Sequence, residues 1–203
     1  MLIALGTGLA VGLIHVLTGP DHLGAIAPIA SIERQRVWAI GLRWGLGHSL
    51  GVVSVCLLAG ALTHWAFIDP FSSASERFVG VMLLMIAGWG FWRLFRPHHH
   101  VTTTEPTSAQ RKRFAPYAIG ILHGCAGGSH LVGIFLALAF PTLAGVLTYV
   151  AGFVVGTLIA MTAFAAGIGW LATARGNNPR MQQGVILLSS CCSAIIGCWW
   201  LLA

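Results

Sequence analysis

The sequence predicts an all-α integral membrane protein: six transmembrane helices as two inverted three-helix repeats, with the first and fourth helices broken. Three observations carry that expectation. Of the 203 residues 57% are apolar and a further 26 are glycine, while only 8% are charged, about a third of what a soluble domain carries. The charges are clustered, so that residues 1–20, 44–68, 114–174 and 181–203 contain none. The two halves of the chain also repeat a pattern of histidines around a glycine.

A hydrocarbon core needs about 20 apolar residues per spanning helix. Apolar runs between polar punctuation give spans near 2–31, 37–66, 76–95, 115–140, 142–172 and 182–203. The first and fourth contain breaking or small residues at mid-length, Gly19-Pro20 and Gly127-Gly128. Each is expected to be one bent span, because the pieces are too short to cross alone. This composition excludes a soluble enzyme, a nucleic-acid binder and a disulfide-stapled domain. The five cysteines, Cys56, Cys125, Cys191, Cys192 and Cys198, contain no C-x-x-C pair and are odd in number, so no disulfide or zinc framework is read. The apolar N-terminus lacks a basic leading region and runs on into Gly19-Pro20, which does not resemble a cleaved signal peptide.

The basic residues orient the spans. Connections 32–36, 96–114 and 173–181 lie on one side and hold Arg34, Arg36, Arg93, Arg96, Arg111, Lys112, Arg113, Arg175 and Arg180, against Arg77 alone on the other. Positive charge marks the cytoplasm. The expectation is therefore a multi-pass protein of the cell (inner) membrane with both termini non-cytoplasmic, and the net charge of +6 reports topology. Trp38, Trp65, Trp92, Trp170, Trp199 and Trp200 fall near span ends, where aromatic rings favour the headgroup level. Small residues recur four apart at Gly41/Gly45, Gly47/Gly51, Gly120/Gly124 and Gly152/Gly156, a spacing that lets helix backbones approach closely. The hydrophilic stretch 96–114, with His98-His99-His100, reads as a cytoplasmic linker between repeat one (1–95) and repeat two (115–203) of one membrane domain, 1–203.

The repeat rests on residues 12–23, G-L-I-H-V-L-T-G-P-D-H-L, and 120–131, G-I-L-H-G-C-A-G-G-S-H-L. At an offset of 108, His15 matches His123, Gly19 matches Gly127 and His22 matches His130; Ser49 falls on Thr157 and Trp92 on Trp200. Three spans per half is an odd number, so the halves must be inverted. Inverted repeats with interrupted helices characterise many secondary transporters, with the substrate site near mid-membrane.

Ionisable residues within spans are costly and point to function. Here they are His15, Asp21, His22, Arg43, His48, His123 and His130. On a straight helix His15 and His22 share a face but stand about 10.5 Å apart along the axis, too far for one ion bonded at about 2.0–2.1 Å. A bend at Gly19-Pro20 removes that obstacle. Asp21, in the first turn after the break, offsets the helix dipole and supplies an anionic group; the second repeat has Ser129 there, so the site should lean towards the first half. Several imidazoles with one carboxylate suit nickel, cobalt, zinc or copper rather than magnesium or calcium. The expected metal residues are thus His15, Asp21, His22, His48, His123 and His130. Cys125 is read as a buried thiol, Arg43 as an interfacial cation, and the His98–His100 run as loop.

These residues resemble the nickel/cobalt transporter superfamily, in its six-span branch related to urease-accessory nickel transporters. The resemblance rests on His15…Asp21-His22 and on Leu46-Gly47-His48-Ser49. The family signature places four residues between its histidine and Asp-His, whereas five stand here. The resemblance implies that Asp21, His22 and His48, with His15, recognise the metal; His123 and His130 come from the repeat. The functional expectation is secondary transport of a divalent transition metal, nickel or cobalt first, with Ni2+ or Co2+ as substrate and no permanently bound cofactor. The expected partners are the ion and the lipid bilayer, not nucleic acid, and no enzymatic acid/base group stands out. The alternatives are a haem-binding protein, with histidines as axial ligands, and a thiol-redox carrier, which needs paired cysteines where only Cys125 is present.

Overall fold

The structure is a computed structural model. It describes residues 1–32, 36–61, 68–95, 106–125, 136–177 and 179–202. Among these every regular element is helical: α1 (Leu2–Thr18), α2 (Pro20–Ile32), α3 (Val37–Ala61), α4 (Ile68–Phe95), α5 (Pro106–Cys125), a short 3-10 turn (Leu136–Ala139), α6 (Leu143–Asn177) and α7 (Pro179–Leu202). Stretches within α3, α4, α6 and α7 are long and apolar enough to cross a membrane, and α1 with α2 passes as a fifth, bent span. The apolar part of α5, Phe114–Cys125, is shorter; of the rest of the anticipated fourth span, 126–135 lie outside the described residues and Leu136–Ala139 forms the 3-10 turn.

The first break is where composition placed it. α1 and α2 meet at 71° across Gly19. Pro20 has no N–H to donate back along the helix, and Gly19 takes an extended conformation at φ −89° and ψ 95°. Its N–H still donates to the His15 carbonyl at 3.1 Å, and its own carbonyl accepts from the N–H of His22 at 3.1 Å. The joint is therefore a hydrogen-bonded corner.

Close backbone approach explains the glycines at the helix contacts. A Cβ on Gly8 or Gly12 of α1 would run into the α6 backbone at Tyr149 and Phe153, and one on Gly152 or Gly156 of α6 into α1 at Leu5 and Leu9. The α3–α5 interface is built alike: Gly47 and Gly51 lie against the backbone of Tyr117 and Ile121, while Gly120 and Gly124 lie against Trp44 and His48. Gly41 and Gly45 bring α3 onto α6 at Met161, Ala165 and Leu158. The order of these contacts sets direction: α1 runs parallel to α6 and α3 parallel to α5, whereas α3 is antiparallel to α6. α4 is antiparallel to α7, with Gly80 beside Gly197 and Gly90 beside Ser190.

Two apolar clusters fill the interior. The larger joins Val16, Ile26, Trp44, Leu83 and Met161; the smaller gathers Ala4, Ala137, Tyr149 and Phe153. The outside is also apolar, with Leu188 and Ile195 exposed, as suits a surface facing lipid. Along α2, Pro28 cannot donate to the Gly24 carbonyl one turn earlier; the hydroxyl of Ser193 on α7 donates to that carbonyl instead, at 2.6 Å.

Several sequence boundaries need correction. Residues 106–113, assigned to the linker 96–114, belong to α5, because Pro106 suits the first position of a helix and the following Ala, Gln, Arg and Lys are good helix formers. Polarity there belongs to a helix end, not a linker. The connection 173–181 is likewise mostly helical, since α6 continues to Asn177 and α7 starts at Pro179. Of the aromatic markers, Trp38, Trp92, Trp170 and Trp199 are exposed, but Trp200 packs against the larger cluster. Trp65 lies outside the described residues.

Candidate metal centre

Four chain segments deliver the polar side chains. His15 sits in the last turn of α1, Asp21 and His22 in the first turn of α2, His48 within α3 and His123 in the last turn of α5. The 71° corner lets His15 and His22 face each other, and the α3–α5 glycine contacts carry His48 and His123 to the same place. All but the half-buried His15 are buried, His48 and His123 completely.

Their polar atoms form a chain. Nε2 of His15 and Nε2 of His22 are 3.1 Å apart. Nδ1 of His22 donates to Oδ1 of Asp21 at 3.0 Å, and Nε2 of His123 donates to Oδ2 of the same carboxylate at 3.0 Å. A carboxylate only accepts, so Asp21 places protons on Nδ1 of His22 and Nε2 of His123. The Nε2 lone pair of a neutral His22 is thereby turned towards His15. Among the described residues, two sets hold ligand atoms within 4.8 Å of one another: His15, His22 and His48, and Asp21, His22 and His123. His22 belongs to both.

The 3.1 Å separation of the His15 and His22 nitrogens has chemical meaning. Two nitrogens so spaced, each bonded at about 2.0–2.1 Å to one ion, subtend about 100° at it. That lies between octahedral and tetrahedral angles. A metal-ligating histidine commonly donates its other N–H to a carboxylate that fixes its orientation, and Asp21 stands in that relation to His22. These groups can bind a metal.

Of the anticipated residues, His15, Asp21, His22, His48 and His123 come together. His130 and Gly127-Gly128 lie outside the described residues, as do His64 and His98–His100. Cys125 is half-buried and neither set includes it. Aromatic neighbours that sequence reasoning did not single out line the cluster. The Trp44 indole stacks on His48 at 5.0 Å between centroids and 9° between planes. It also touches His123 at 5.2 Å and His22 at 5.7 Å, while Phe153 of α6 packs on His15 at 5.4 Å. The signal for Trp44 was its spacing, one helical turn before His48 on the same face.

The chain is similar to two chloroplast proteins of Arabidopsis thaliana. It is 34% identical over 195 residues to Chloroplast protein FOR GROWTH AND FERTILITY 2, and 32% identical over 201 residues to Chloroplast protein FOR GROWTH AND FERTILITY 1. Each match covers 91% of this chain, but only 52% and 54% of the respective relatives. The chain thus spans about half the length of the curated relatives it matches. No family model matches the chain, and no solved structure matches it.

Proposed function

We propose that this protein is a secondary transporter for a divalent transition-metal ion, nickel or cobalt first, and a member of the nickel/cobalt transporter superfamily. The observation that carries the reading is the convergence of four imidazoles and one carboxylate, from four helices of an apolar chain, at a corner in a broken helix. Such groups are costly in a membrane, and mid-membrane substrate sites at broken helices are a transporter arrangement. In this reading His15, His22 and His48 offer nitrogen lone pairs to the ion. Asp21 supplies the opposing charge and holds His22 and His123 in register, and His130 contributes from the second repeat. The transported Ni2+ or Co2+ is substrate, and no resident cofactor or enzymatic step is invoked.

The architecture proposed with it is six spans in two inverted repeats, in the cell membrane with both termini non-cytoplasmic. The helix directions support this: α1, α4 and α6 can run one way and α3, α5 and α7 the other, as six successive crossings require. The glycine contacts also correspond. Gly120 approaches Trp44 and His48 as Gly12 approaches Phe153 and Thr157, which makes Thr157 the counterpart of His48, one residue from the offset of 108. A histidine in one half corresponds to a threonine in the other, in keeping with a site that leans towards the first repeat.

The test is metal flux into liposomes containing the purified protein, with a panel of divalent ions and an imposed pH gradient. Uptake of Ni2+ or Co2+ above protein-free vesicles, lost in His22→Ala, is the expected result. No flux of any transition metal, or a Soret band in the purified protein, removes the reading.

A further inference from the structure

We infer that Trp44 is a positioning residue of the metal centre, whose indole holds the His48 imidazole in the plane from which it can ligate the ion. This rests on the transport reading above and goes beyond it, because tryptophan offers no lone pair to a metal and so is not suggested by donor chemistry.

The geometry supports it in three ways. An imidazole ligates through a lone pair lying in its ring plane, so rotation about χ2 moves the lone pair off the ion. The Trp44 ring lies almost parallel to His48, at 9° and 5.0 Å, an offset-stacking separation that opposes such rotation. The pair is local to one turn of α3, and that turn is clamped from α5: a Cβ on Gly120 would meet the Trp44 carbonyl and lie 2.9 Å from the His48 backbone nitrogen, and one on Gly124 would meet the His48 carbonyl. Finally, the indole is completely buried and reaches His22 and His123 as well. Its Nε1 has no hydrogen-bond partner among the described residues, so it is stacking, not a hydrogen bond, that fixes this ring.

The experiment is a Co2+ titration of the full chain in detergent, reading affinity and the visible d–d absorption spectrum of the bound ion, which reports coordination geometry. Wild type is compared with Trp44→Phe, which keeps a stacking ring, and Trp44→Leu, which removes it; monodispersity and far-ultraviolet circular dichroism confirm folding. If Trp44→Leu does not fold, Trp44→Met removes the ring with a more adaptable side chain. Loss of an orienting partner costs about 10–100-fold in metal affinity. The expected result is therefore roughly tenfold weaker binding with an altered spectrum in the ringless variant, and near-wild-type values in Trp44→Phe. A ringless variant that binds Co2+ with unchanged affinity and spectrum overturns the role of Trp44 and leaves the transport reading standing. Equal damage in Trp44→Phe and the ringless variant overturns stacking as the cause. Absence of Co2+ binding by the wild-type protein overturns both.

Discussion

His15 and His22 meet Nε2 to Nε2 at 3.1 Å although a straight helix would hold them about 10.5 Å apart along its axis. The 71° corner between α1 and α2 makes the difference, and Gly19 makes the corner compatible with the side chains around it. Its φ of −89° is open to alanine, but an alanine Cβ would stand 2.6 Å from Nδ1 of His22 and 3.0 Å from Oδ1 of Asp21. Gly19→Ala is expected to fold, yet to lose about 10–100-fold in Co2+ affinity through displacement of the Asp21–His22 pair. A titration beside a thermal melt separates the two effects, and unchanged affinity would count against the pair.

Asp21 accepts hydrogen bonds from both His22 and His123. In Asp21→Asn one of those oxygens becomes an amide donor, so one histidine must change tautomer or turn away, and the charge opposing the cation is gone. Flux in this variant is expected to fall nearly as far as in His22→Ala or His48→Ala. His64→Ala, and joint replacement of His98 to His100, should leave most of it. Retained flux in all three site variants at normal expression would mean that the site lies elsewhere.

Glycine replacements should divide by environment. Gly120→Ala and Gly12→Ala drive a methyl into the backbone of α3 and α6, and overpacking of this kind costs about 1–3 kcal/mol. Gly88 and Gly167 have nothing within 4 Å of a Cβ, and alanine in such helix interiors stabilises by about 0.5–1 kcal/mol. Melting temperatures in detergent should fall for the first pair and hold or rise for the second.

Ser193 and Pro28 should be energetically coupled. The Ser193 hydroxyl serves the Gly24 carbonyl, which Pro28 leaves without a helical N–H donor. Ser193→Ala is expected to cost about 0.5–2 kcal/mol and markedly less in a Pro28→Ala background, where residue 28 regains its N–H. A double-mutant cycle by equilibrium unfolding measures this, and additive effects would show that the carbonyl does not need the serine.

Topology gives the last prediction. A C-terminal reporter active only outside the cytoplasm should be active, because the proposed six-span arrangement puts nine basic residues on the side opposite the termini and one on their own side. Activity of a cytoplasm-only reporter at the C-terminus would reverse the orientation.

The sequence by itself determined the helical membrane class, the break at Gly19-Pro20, five of the six side chains expected at the site (His130 lies outside the described residues) and most of the glycines that pack. Hydropathy, charge and helix breaking are local properties, and an ionisable residue in an apolar run is conspicuous wherever the run lies. Only the tertiary structure decided who meets whom. Helical periodicity says which residues share a face and leaves open the helix opposite, so it could not foresee Asp21 bridging His22 and His123, or Ser193 serving Gly24. Gly8 and Gly12 were passed over although they pack α1 on α6, since the closeness of two backbones is a property of the pair of helices. Polarity misled at Pro106–Arg113, because a helix end in water and a linker have the same composition. Trp44 carried only its spacing from His48 as a mark: an aromatic ring is equally at home among headgroups and in a packed interior, and its burial against His48 is settled by the approach of α5.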